Sequence, residues 1–102
     1  MYALTVKFVA LPGKRDAIVA TLDPDMIKQV HKEDETLLYS INLDADDENV
    51  IWFWMLFSDE EAFHRHSSSE VDQRAVEIFQ PLLQSYELHP MKAVGGKGIP
   101  LP

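Results

Sequence analysis

The chain has 102 residues, of which 46% are hydrophobic and 25% are charged, and its formal net charge is −8 at pH 7. This length and composition predict a single soluble globular domain, and the acidic balance argues against nucleic acid and anionic membranes as partners. The sequence contains no cysteine, which excludes disulfides, thiol catalysis and zinc–thiolate sites.

The first half of the chain predicts a strand, an interrupted helix and a second strand. Residues 2–10 form a β-rich run, and residues 14–35 show apolar residues at helical spacing. Pro24 interrupts that helical pattern, so we expect a break at which Asp23 caps the second piece and Pro24 takes its first helical position. Residues 36–43 alternate in the manner of a strand.

The second half begins with a polar turn, residues 44–49, which leads into "VIWFWMLF" at residues 50–57. Eight consecutive apolar residues are too few for a transmembrane helix, and they do not alternate as a strand with one solvated face would. We therefore interpret them as a strand covered on both faces. The segment "SDEEAFHRH" predicts a helix with acidic residues in its first turn, and Ser67–Ser69 offer caps for a further helix over 70–80.

A weaker strand over residues 86–94 completes the order β-α-β-β-α-β. This order predicts a ferredoxin-like α+β fold, an antiparallel sheet with helices on one face. Because helices cover only one face, we expect an identical subunit to cover the other, giving a homodimer packed sheet to sheet. Residues 1–94 are expected to form one domain, followed by a Gly/Pro-rich tail over 95–102. The N-terminus lacks the features of a signal peptide, so a cytoplasmic location is expected.

His66 is the histidine that the helical pattern turns inward. It shares the apolar face of its helix with Ala62 and Phe63, whereas His64 lies about 200° away and so cannot share a metal ion with it. No metal site is expected. Two interpretations of His66 stay open: a core histidine hydrogen-bonded to the serine run or to a backbone carbonyl, and a titratable base in an aromatic cavity between helix and sheet.

Aromatic residues on the strands are candidates for the wall of such a cavity. Tyr39, Trp52 and Trp54 are expected to line it, although aromatics at alternate strand positions also occur in cores and interfaces. Strand parity puts Trp52, Trp54 and Leu56 on one face and Ile51, Phe53, Met55 and Phe57 on the other. Parity alone leaves open which face meets the helices.

Several segments together resemble the antibiotic biosynthesis monooxygenase (ABM) domain family. They are "PGK" after the first strand, "ETLLY" opening the second, "VIWFWMLFSDEEAFHRH", "S…FQPLL" and the ending "GGKGIPL". The resemblance covers almost the whole chain in the same order. It implies a dimeric α+β barrel made of two ferredoxin-like sheets packed face to face.

The resemblance also implies a function. The family includes quinol-monooxygenase-like oxygenases that use no metal, flavin or haem, because a deprotonated, electron-rich phenolate reduces oxygen directly. His66 corresponds to a recurrent helix histidine and is expected to be the catalytic base, and Tyr39 corresponds to a recurrent tyrosine. Phe57 and Phe63 complete the expected substrate-binding residues.

This chain departs from the family at three places. Glu35 replaces a usual glycine, Met55 stands where relatives often carry glutamate, and Phe57 stands where tyrosine or tryptophan is usual. Haem-degrading relatives use a first-strand asparagine that residues 2–10 lack, which argues against haem.

The alternative function is a non-catalytic small-molecule-binding or regulatory dimer of the same fold, which the loss of the acid at Met55 favours. Isomerase-type chemistry on a phosphorylated substrate ranks last because positive charge is scarce.

Overall fold

A computed structural model describes residues 1–100 of the chain. The strands of its sheet are β1 Tyr2–Ala10, β2 Thr36–Leu43, β3 Val50–Phe57 and β4 Leu83–Lys92. The helices are α1 Arg15–Leu22, α2 Asp25–His31, α3 Glu60–Ser67 and α4 Glu70–Phe79, and a 3₁₀ turn over Gln80–Leu82 joins α4 to β4.

The strands pair in the order β2-β3-β1-β4, and every neighbouring pair is antiparallel. β1 and β3 are therefore central, and β2 and β4 form the two edges. This arrangement confirms the predicted ferredoxin-like α+β fold. The predicted polar turn between β2 and β3 closes a hairpin. The edge position suits Pro90 of β4, since proline cannot donate a hydrogen bond to a neighbouring strand.

The two faces of β3 have different surroundings. Ile51, Phe53 and Phe57 are buried on the inner face, the side of the sheet that the helices cover. Trp54 belongs to the outer face and is 54% exposed in the single chain. The inner core also includes side chains from β1 and all helices except α3, namely Leu4, Val6, Ala10, Ile18, Leu22, Met26, Val30, Ala75 and Phe79. The helices thus cover one face of β3, and Trp54 on the other face is exposed in the single chain.

A side chain caps the start of both α3 and α4, and for α4 this is the cap that the serine run predicted. Asp59 accepts a hydrogen bond from the backbone N–H of Ala62, and Ser69 accepts one from the backbone N–H of Asp72. The break between α1 and α2 lies where it was predicted, but its capping differs. Pro24, rather than Asp23, occupies the N-cap position of α2, and it makes no side-chain cap because proline has no hydrogen-bonding side chain.

The last strand begins earlier than the predicted 86–94, because Leu83 and Ser85 already pair with the end of β1. Residues 95–100 of the predicted tail follow β4 without a helix or strand, and residues 101–102 of that tail lie outside the described residues. Within residues 1–100, no helix is long and apolar enough to cross a membrane.

Candidate active site

His66 is the one buried residue with an ionisable side chain in the described part of the chain, and only 4% of its surface is exposed. It lies one turn after Ala62 on the buried face of α3, as the helical spacing predicted. Its ring packs near two aromatic side chains, with ring centroids 5.6 Å from Tyr39 and 5.6 Å from Phe57. The imidazole is therefore held between a helix and the inner face of the sheet.

Glu33 fixes one side of the imidazole. Its Oε1 atom lies 2.8 Å from His66 Nδ1, so the carboxylate accepts a hydrogen bond from a proton on that nitrogen. Glu33 also accepts hydrogen bonds from Gln29 Nε2 and Thr36 Oγ1, both at 2.8 Å. Burial alone would raise the pKa of Glu33, but the hydrogen bonds from Gln29, Thr36 and His66 outweigh it and lower the pKa. Glu33 is thus ionised at neutral pH, which favours the tautomer with its proton on Nδ1.

Asp72 lies on the other side of the same ring. Its Oδ1 atom is 3.9 Å from His66 Nε2, which is too long for a hydrogen bond. The cap from Ser69 fixes Asp72 in the first turn of α4. Burial raises the pKa of the Asp72 carboxyl, with the nearby charge of Glu33 adding to the effect and His66 opposing it. The two carboxyl groups that flank His66 therefore have pKa values displaced in opposite directions.

A cavity of about 270 Å³ adjoins His66 between the helices and the sheet. This is close to the lower end of the range for small-molecule sites, which begins near 300 Å³. Most of the wall is apolar, contributed by Leu4, Val6, Phe8, Leu22, Phe53, Met55, Phe63, Val76, Phe79, Leu83 and Leu88. The polar groups on the wall come from Tyr39, His66, Ser67, Asp72, Gln80 and Tyr86. A largely apolar cavity with a few polar groups suits a small aromatic molecule.

Tyr39 contributes a neutral hydroxyl to this wall. Burial raises the pKa of the Tyr39 hydroxyl, and the carboxylates of Asp72 and Glu33 raise it further. The phenol therefore keeps its proton at neutral pH and can donate a hydrogen bond. It is not suited to act as a base.

The predicted site residues are placed in two groups. Tyr39, His66 and Phe63 border the cavity, and Phe57 lies behind them, fully buried against the rings of Phe63 and His66. Trp52 and Trp54 do not join this group. The register pairs them with Asn42 and Ser40 on the outer face of the sheet.

The position of Trp52 differs from the expectation that it lines the cavity, and it has a local explanation. Its indole Nε1–H donates a 2.7 Å hydrogen bond to Asp44, and the ammonium group of Lys7 lies 5.4 Å from the centre of its ring. Backbone and indole donors lower the pKa of Asp44 to about 2. Trp52 is thus bound to the β2–β3 turn on the opposite side of the sheet from His66.

Two residues of the site were missed by sequence reasoning. Glu33 lies in "HKEDET" and Asp72 in "SSSEVDQ", where each looks like one more surface acid of an acidic protein. The available signals were weak: Glu33 stands four residues after Gln29, and Asp72 stands three residues after a capping serine. Neither spacing indicates contact with a histidine on another helix.

Replacing Glu33 by glutamine should make stability depend less on pH. A carboxyl whose pKa is lowered by folding stabilises the protein above its unfolded-state pKa, near 4.5, and this contribution is lost as pH falls through the lower folded value. We expect Glu33→Gln to lower the free energy of unfolding by about 1–3 kcal/mol at neutral pH, and by less under acidic conditions. Urea unfolding at several pH values measures this difference.

Glu35→Gln is the matched control, because Glu35 is exposed and pairs with Arg65 at the surface. Loss of such a surface pair should cost about 0–1 kcal/mol. If the two variants lost the same stability at every pH, the assignment of Glu33 as an ionised partner of His66 would be contradicted.

Residues 1–100 contain no group of three or more histidine, aspartate or glutamate side chains placed to hold a metal ion. The arrangement that is present can orient an imidazole, leave one ring nitrogen as a proton acceptor and keep an aromatic molecule in an apolar space.

Comparison with known proteins points to one family. A family model described as antibiotic biosynthesis monooxygenase matches residues 1–78. A Chloroflexus aurantiacus J-10-fl structure, named as a candidate antibiotic biosynthesis monooxygenase, is 29% identical, with a TM-score of 0.82 and coverage of 97% of this chain and 98% of that one.

Two other similar structures support the fold alone, because their identities are low. PA3566 from Pseudomonas aeruginosa is 21% identical, with a TM-score of 0.83 and coverage of 92% and 94% of the two chains. Rv0793 from Mycobacterium tuberculosis is 21% identical, with a TM-score of 0.84 and coverage of 94% and 97%. No curated protein matches the sequence.

Proposed function

The chain belongs to the antibiotic biosynthesis monooxygenase family, and on that premise we propose that it oxidises a small quinol-like aromatic molecule with dioxygen, without a metal, flavin or haem. The observation that carries this proposal is the position of His66. The ring is buried beside an apolar cavity, its Nδ1 atom is bound to Glu33, and its Nε2 atom makes no hydrogen bond to residues 1–100.

The first step is removal of a proton from the substrate. In the neutral imidazole, a carboxylate that accepts from Nδ1–H makes Nε2 the proton acceptor, so a substrate hydroxyl donates its proton to Nε2. The imidazolium that forms is stabilised by the negative charge of Glu33. The substrate becomes an electron-rich phenolate beside a largely apolar wall.

The redox step then needs only dioxygen. The phenolate gives one electron to O₂, and the semiquinone and superoxide so formed combine by a new bond between an oxygen atom and a ring carbon. The peroxide takes the proton from His66. Loss of the proton on that ring carbon breaks the O–O bond, leaving a new carbonyl and releasing water. The overall change is quinol + O₂ → hydroxyquinone + H₂O, and the substrate supplies all four electrons.

Two of the expected binding residues fit this scheme as parts of the wall. Phe63 offers an aromatic surface, and Tyr39 offers a neutral hydroxyl donor. Phe57 supports the ring of His66 from behind, without bordering the cavity.

An oxygen electrode tests the proposal with a panel of one-ring and two-ring quinols. We expect oxygen uptake above the rate of autoxidation for at least one quinol, unchanged when a metal chelator is present. Uptake equal to autoxidation for every quinol that binds would contradict the proposal.

One observation favours the alternative, a non-catalytic binding or regulatory dimer. Met55 borders the cavity and contributes no polar group, whereas relatives often carry glutamate at this place. Native mass spectrometry separates the two functions. A ligand that stays bound and is recovered unchanged in the presence of oxygen would support the binding protein.

We further propose that the outer face of the sheet packs against a second copy of the chain. Leu38, Trp54 and Met91 lie on that face and are between 42% and 54% exposed, which makes an apolar patch of the kind that marks interfaces. The unalternating sequence of β3 is consistent with burial of both faces.

Trp54→Lys should therefore convert a dimer into a monomer, because the interface would have to bury an unpaired charge. Light scattering after size exclusion measures the mass. Ile78→Lys, a change at an equally exposed position of α4, should leave the dimer intact. A monomeric mass for the unmodified chain at micromolar concentration would contradict the proposal.

A further inference from the structure

Asp72 borders the same cavity as His66, and neither the family match nor the sequence motifs assign it a role. We propose that Asp72 determines specificity: it selects neutral aromatic alcohols and rejects aromatic anions. This inference rests on the proposed function only in using the same cavity, and it concerns binding rather than turnover.

A gap separates the polar atoms of His66 and Asp72 beside the cavity. His66 Nε2 and Asp72 Oδ1 are 3.9 Å apart, so they do not bond to each other, and both belong to side chains on the cavity wall. A hydroxyl oxygen at hydrogen-bond distance from both atoms fits a separation of this size. Such a hydroxyl donates its hydrogen bond to Nε2 and brings no negative charge next to the Asp72 carboxyl group.

Positive charge is scarce around the cavity. Among the described residues that line it, none is lysine or arginine. Glu33 lies directly behind His66 and is ionised. The backbone N–H of Asp72, which would otherwise attract an anion at the start of α4, already donates a hydrogen bond to Ser69 Oγ. An anion in this cavity has no lysine or arginine partner among these groups, and the imidazole of His66 already lies between two carboxyl groups.

The carboxyl group of Asp72 lies where it would repel an anionic ligand. A carboxylate ligand next to His66 would bring two negative charges close together in a partly buried site, or it would require the uptake of a proton. Both alternatives cost free energy, because like charges repel each other more strongly in a partly buried site than in water. A neutral hydroxyl group binds without this charge repulsion and without the uptake of a proton.

The test compares two ligands of nearly equal shape, 2-naphthol and 2-naphthoate. Both contain two fused rings, and neither is a quinol, so binding is measured without turnover. Isothermal titration calorimetry at neutral pH gives each dissociation constant for the unmodified protein, Asp72→Asn and Glu77→Gln. Glu77→Gln is the matched control, since it removes one exposed acidic group from α4 away from the cavity.

We expect the unmodified protein to bind 2-naphthol at least roughly tenfold more tightly than 2-naphthoate. Asp72→Asn should reduce this ratio by tightening the binding of 2-naphthoate, and Glu77→Gln should leave the ratio unchanged. Retained binding of 2-naphthol shows that the Asp72 variant is folded with its cavity intact.

Three other outcomes contradict the inference, and a fourth contradicts only the proposed function. Equal affinity of the unmodified protein for the two ligands would overturn the selection. An unchanged ratio of the two dissociation constants in Asp72→Asn would overturn the role of Asp72. In both cases the cavity would still bind aromatic molecules. Failure to bind either ligand overturns this inference and the aromatic site of the proposed function together. Selective binding without oxygen uptake for any quinol would overturn the proposed oxygenase and leave the selection by Asp72 standing.

Discussion

Replacing His66 by alanine should reduce enzyme-dependent oxygen uptake by about 10²–10⁴-fold, the usual contribution of a positioned general base. The change removes the only histidine nitrogen next to the cavity among the described residues. Glu33 keeps its hydrogen bonds to Gln29 and Thr36, so the loop that carries it should keep its structure. Initial rates on the oxygen electrode, corrected for autoxidation, measure the effect.

A glutamine at the same position separates the loss of the base from the loss of side-chain volume. His66→Gln retains hydrogen-bonding groups and much of the volume, but it has no nitrogen that accepts a proton near neutral pH. We expect it to be as inactive as the alanine variant while binding 2-naphthol measurably. If either variant kept at least half of the original rate, His66 would be removed from the mechanism.

Replacing Phe57 by alanine should cost about 3–5 kcal/mol of unfolding free energy, as for other buried aromatic residues. Phe57 is fully buried, and its ring centroid is 5.5 Å from that of Phe63 and 5.6 Å from that of His66. Since small domains are stable by about 5–15 kcal/mol, this single change removes a large part of the total. Urea unfolding followed by tryptophan fluorescence gives the value.

The control is Ile78→Ala, at an apolar residue of α4 that is 60% exposed. It should change stability by no more than about 0.5 kcal/mol. A cost below about 1 kcal/mol for Phe57→Ala, outside the range for buried aromatic residues, would show that Phe57 does not hold the ring of His66 in a packed core.

The order of elements and the inward position of His66 could be predicted because both depend on local pattern. Apolar spacing defines the helices, and residues four apart on α3 share a face, so Ala62 and His66 had to point the same way. The hairpin between β2 and β3 follows from a polar run between two apolar ones. These features need no knowledge of distant contacts.

The partners of His66 could not be predicted, because they depend on how separate elements pack. Glu33 is 33 positions away in sequence, and its polar neighbours make it look like part of a solvated surface. The face of β3 that meets the helices could not be predicted either. Both faces of that strand are apolar, so strand parity separates Trp54 from Phe53 without indicating which of them meets the helices.

Oxygen transfer from ¹⁸O₂ tests the central claim most directly. The purified protein, treated with a chelator, is given the quinol that supports the fastest oxygen uptake, and the product is examined by mass spectrometry. The mechanism predicts one ¹⁸O atom in each hydroxyquinone and one molecule of O₂ consumed for each quinol. A product that is a simple quinone without ¹⁸O, formed with hydrogen peroxide, would contradict monooxygenation by this protein.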